Sequence, residues 1–99
     1  MTKVLLIGYN PPQIVPNVKI EAAHYRTWQF LEPLLADGHE VGLCAGTRGE
    51  AARAEDVPAP WRERLRYYPI AFGAGGWARQ LQAAHDAFQP QCVVAVNFS

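Results

Sequence analysis

Two kinds of apolar pattern alternate along the chain. Residues 4–7, VLLI, form an unbroken apolar run, the signature of a strand covered on both faces of a parallel sheet. In residues 20–37 the period changes. Trp28, Leu31 and Leu35 recur at helical spacing, Phe30 and Leu34 widen the stripe, and Gly38 ends it as a left-handed cap would. Pro33 falls inside this helix and is expected to bend it or weaken one turn. HEVGLCAG (39–46) is a second strand, and RLRYYPIAF (64–72) a third, which Pro69 assigns to a sheet edge. Residues 47–63 read as a loop with one helical turn near 50–54. GAGG (73–76) is a turn before a second helix, 77–88, with Trp77, Leu81, Ala84 and Phe88 on one face; Pro90 closes it. QCVVAVNF (91–98) is a fourth strand.

Strands that alternate with helices imply parallel pairing through right-handed crossovers. The expected fold is therefore α/β: a three-layer Rossmann-like domain with a four-stranded parallel sheet, order 3-2-1-4. The 99 residues make one domain, 49% hydrophobic and 18% charged, with no internal repeat or linker. The chain stops directly after the fourth strand, so it reads as truncated there, the N-terminal part of a two-domain protein. Surfaces bared in this way tend to self-associate.

Nine basic residues balance nine acidic ones, which gives no reason to expect a nucleic-acid partner. No apolar run approaches the ~20 residues of a membrane span. MTKVLLIG is too short and too soon broken for a signal peptide, so the protein reads as cytoplasmic, with a peripheral association with a membrane left open. Cys44 and Cys92 each lie in an apolar run and read as buried thiols, with no metal-ligand partner at suitable spacing.

The first strand does not lead into G-x-G-x-x-G. It leads into YNPPQ, so the glycines that let backbone approach a pyrophosphate are absent. There is no P-loop and no acidic pair after the first strand. GAGG precedes a helix but has no nearby lysine, and a plain turn explains it better than an anion site.

KVLLIG at the start, HYRTWQFLEPLLADGHEVGLCAG and LQAAHDAFQPQCVVAVN together resemble the N-terminal domain of GT-B glycosyltransferases over nearly the whole chain. The resemblance implies two Rossmann-like domains facing across a cleft. A missing C-terminal domain would hold most of the nucleotide-sugar donor, so this fragment carries no cofactor of its own. The domain in hand would receive the sugar acceptor, and transfer to an acceptor hydroxyl would need no metal. Alone, the fragment is expected to be inactive. Pro11, Pro12 and Pro16 would stiffen the first loop and lower the entropy lost on ordering it. GYNPP and GHEV also fit the N-terminal cobalamin-binding modules of radical enzymes, which is the alternative reading; HYRTWQF speaks against it, because those helices usually carry small apolar residues.

No catalytic residue is identified. The substrate-binding candidates are Gly8, Tyr9 and Asn10 at the carboxyl end of the first strand, His24 and Arg26 near the start of the first helix, and Asn97 after the fourth strand. Each has a plainer reading. Gly8, Tyr9 and Asn10 also suit a turn, and Arg26 also suits a surface ion pair. His24 as a general base is the weaker of its two readings. Arg26 matches the family's arginine before the hydrophobic helix. Many family members place a histidine after the fourth strand; here Asn97 stands in that zone. An amide is no base, but it can hydrogen-bond a sugar hydroxyl.

Overall fold

The computed structural model describes residues 2–11, 14, 22–47, 57–71 and 75–96. The helix start expected at residues 20–21, the turn at 50–54 and Asn97 lie outside them. The elements run β1 (Lys3–Tyr9), α1 (Ala22–Ala36), β2 (Glu40–Thr47), a short 3-10 helix (Ala59–Trp61), β3 (Leu65–Ala71), α2 (Trp77–Phe88) and β4 (Cys92–Ala95). The four strands form one all-parallel sheet, ordered β3-β2-β1-β4. The fold is α/β and Rossmann-like, with the strand order that the sequence implies.

Register separates the two faces. Leu6 of β1 stands level with Leu43 of β2, which stands level with Tyr67 of β3. These residues share the face that α1 covers, where Leu31 and Leu35 pack with Ile14, Val41, Leu65 and Val96. The neighbouring positions, Leu5, Cys44 and Ile70, face Ala84 and Phe88 of α2. Gly42 lies beneath the Phe88 ring, where an added Cβ would come within 3.0 Å of both that ring and Leu5.

The end of α1 is sealed three times. Gly38 adopts φ +83°, the left-handed conformation that favours glycine. His39 N–H donates to the Leu34 carbonyl and Gly38 N–H to that of Leu35, the Schellman pattern. Arg64 adds a third bond from before β3, donating through Nη1 to the Leu35 oxygen at 2.6 Å. Its cation sits at the negative end of the helix, where positive charge is favoured. The Trp28 and Trp61 rings stack 5.0 Å apart and tie α1 to the 3-10 helix.

Three expectations need correction. Phe30, expected to widen the apolar stripe of α1, is 47% exposed. Cys92 is exposed, and only Cys44 is buried. Trp77, expected on the buried stripe of α2, is 46% exposed, and Val93 of β4 is 49% exposed. Cys92 stands level with Val4 as the first residue of β4, on the face opposite to Val93. The exposure of Trp77 and Val93 has a separate cause. The second helix packs over β2 and β3, so the β4 half of that face lies open. Trp77, Leu5, Ile7, Leu81 and Val93 border a cleft there of about 240 Å³. Among the described residues no helix is long and apolar enough to cross a membrane.

Candidate functional site

In an order of 3-2-1-4 the chain leaves β1 in one direction and reaches β4 from the other. The switch point therefore lies between β1 and β4, and ligands of open α/β sheets bind in the crevice beyond the carboxyl ends of the strands there. Asn10 and Pro11, directly after β1, stand at this end of the sheet.

The site is built from β1, α1 and β3. Gly8 and Tyr9 close β1, and Asn10 follows them; all three are buried. On α1, His24, Thr27 and Leu31 fall on the sheet-facing side, with His24 and Thr27 the buried polar members. Helix and strand meet closely at Gly8. A Cβ there would lie 2.7 Å from Thr27 Oγ1. The same hydroxyl oxygen accepts the Tyr9 backbone N–H at 3.1 Å. That bond matters because the last N–H of a buried strand otherwise lacks a ladder partner.

Asn10 is fully buried, with a relative exposure of 0%. Its Oδ1 accepts a hydrogen bond from the Tyr67 hydroxyl. Its Nδ2 is sealed from solvent and has no hydrogen-bond partner. A buried amide donor left unmade costs about 1–3 kcal/mol, and native structures hold few of them. Asn10 is the one such side chain among the described residues.

The candidates read from the sequence thus separate. Gly8, Tyr9 and Asn10 are together, and His24 lies on the side of α1 that faces the sheet. Arg26 lies on the solvent side, beside the exposed Tyr25. Two residues that sequence reasoning missed belong to the site: Thr27, through its bond to Tyr9, and Tyr67, through its bond to Asn10. Thr27 shares a helical face with Leu31, which is a visible signal. Tyr67 carries only strand alternation, and nothing local connects it to a residue 57 positions earlier.

Among the described residues no group of three or more His, Cys, Asp or Glu is placed to share a metal ion. The chemistry on hand is that of neutral donors and acceptors: an amide, a phenol and a hydroxyl. Such groups are able to donate hydrogen bonds to, and accept them from, the oxygens of a ligand. No family model, curated protein or solved structure matches the chain.

Proposed function

We propose that this chain is the acceptor-side domain of a GT-B-type glycosyltransferase. The whole enzyme moves a sugar from a nucleotide-sugar donor, held mainly by a second domain, to an acceptor hydroxyl. One observation carries the reading: the orphaned, buried amide of Asn10 stands at the switch point of the parallel sheet. Hydrogen-bonding groups at that position meet a ligand, and the loop there has prolines where a pyrophosphate cradle would need glycines. The resemblance of KVLLIG and of the helix ending in GHEV supplies the enzyme class. On this reading Asn10 and Tyr67 hold the acceptor, and Thr27 fixes the end of β1 behind them.

Two measurements test it. The reading frame beyond the codon for Ser99 should encode a second Rossmann-like half with paired glutamates, and the protein made from it should transfer sugar from a nucleotide-sugar to a glycoside, seen as a mass increment. A C-x-x-x-C-x-x-C cluster in that frame, together with an absorbance change when the 99-residue chain is titrated with cobalamin, would overturn the proposal in favour of the radical-enzyme module.

A further inference from the structure

The way Asn10 is held says which kind of atom it meets. The Tyr67 hydroxyl donates to Oδ1. An amide fixed by its oxygen has only its two N–H donors left to offer, and those belong to the buried, unpartnered Nδ2. The group that satisfies them is therefore an acceptor, and it must be enclosed with the amide.

Charge narrows the class. The buried polar side chains are Asn10, His24 and Thr27, and no lysine or arginine is buried among the described residues. Arg26 is exposed, and Lys3 sits at the opposite end of β1, paired with Glu40 at 3.9 Å. A phosphate or carboxylate brought to Asn10 would lose its hydration with no buried cation among the described residues to offset the loss, which is strongly unfavourable. A hydroxyl or ring oxygen gives up far less.

We propose that Tyr67 is a specificity-determining residue: by donating to Asn10 Oδ1 it aims the amide N–H groups at a neutral oxygen of a sugar and so selects a neutral glycoside over an anion. The identity of the ligand as a sugar rests on the glycosyltransferase reading; the orientation of the amide and the exclusion of anions do not.

Nitrogen-15 correlation spectra of the 99-residue chain read the Asn10 side-chain amide directly, with Asn10→Asp assigning the signal. The probes are the methyl glycosides of glucose, galactose and mannose, inorganic phosphate and acetate. At least one glycoside should shift the Asn10 pair saturably, while phosphate and acetate leave it in place. Tyr67→Phe should weaken that glycoside about tenfold, the worth of one hydrogen bond lost at a site that stays folded. Backbone shifts away from β1 and β3 report that the variant is folded.

Three results would overturn the inference. Phosphate or acetate moving the pair as strongly as the glycosides do shows that the site does not select against anions. A pair that contacts one long-lived water and answers to no probe has a trapped water as its partner. Tyr67→Phe binding the glycoside as the unaltered chain does removes any role for the phenol. The two proposals fail separately. Sugar transfer by the longer protein with glycoside shifts mapping away from Asn10 sinks only the selectivity claim, whereas the expected Asn10 response without transfer sinks only the enzyme assignment.

Discussion

Gly8 is a glycine for steric reasons. A methyl group there meets Thr27 Oγ1 at 2.7 Å, closer than real Cβ contacts allow. The hydroxyl can rotate away only by releasing the Tyr9 N–H. Gly8→Ala should therefore destabilise the fold by about 1–3 kcal/mol in urea unfolding, the usual range for stranding a buried donor. In a Thr27→Ala background the same change should be milder. Equal losses in both backgrounds would show that the clash is not the cause. Cys44 makes a second case. Burial raises its thiol from 9.0 to about 11. The unfolded chain gives up this proton first, so the contribution is intact below pH 9 and disappears as pH rises from 9 to 11. The full loss is about 3 kcal/mol. Tyr68 is also shifted upward, by burial first and by the neighbouring Cys44 second, and acts in the same direction. Denaturant midpoints across this range should fall for the native chain and less for Cys44→Ala. A thiol reagent at about pH 8 should label exposed Cys92 and spare Cys44 until the protein unfolds.

The helices differ in how they end. Gly38 lets α1 close with a left-handed residue at no steric penalty. In α2 the same role falls to Gln89, at φ 52°, where a side chain crowds its own backbone. Its N–H still completes the turn by donating to the His85 carbonyl at 2.8 Å. Gln89→Gly should thus stabilise the protein by about 1 kcal/mol, visible as a raised thermal midpoint. A lowered midpoint would mean that the Gln89 side chain contributes more than its backbone loses. The third strand behaves as its proline demands. Pro69 lacks an N–H and stands opposite Ala45 on β2, and among the described residues β3 has no partner on its other side.

The two edges of the sheet are unlike. β3 carries Pro69 and the exposed Arg66, both of which discourage pairing with another chain. β4, CVVA, has neither proline nor charge, and Val93 lies open beside Trp77. Among the described residues β4 pairs only with β1, and an apolar strand with such an edge favours pairing with another chain. The 99-residue chain should sediment faster as its concentration rises, and Val93→Lys should abolish that dependence with the fold intact. Sedimentation that is independent of concentration in the unaltered chain would contradict this.

Parallel α/β organisation was legible because its causes are local. Unbroken apolar runs belong to strands covered on both faces, a 3.6-residue stripe closed by Gly38 belongs to a helix, and right-handed crossovers then leave few strand orders. The placement of Asn10 was legible for the same reason, since it directly follows the first strand. The companions of Asn10 were not. Tyr67 reaches it only because β2 and β3 pair in one particular register, and a shift by one residue would turn Tyr68 to that face instead. Nor does QCVVAV say that α2 stops short of it. That follows from where a twelve-residue helix settles across four strands, which is a matter of packing between distant segments. Local chemistry determined the elements and which residues stand at the carboxyl end of the sheet; long-range register and helix placement decided which side chains meet there and which are left in water.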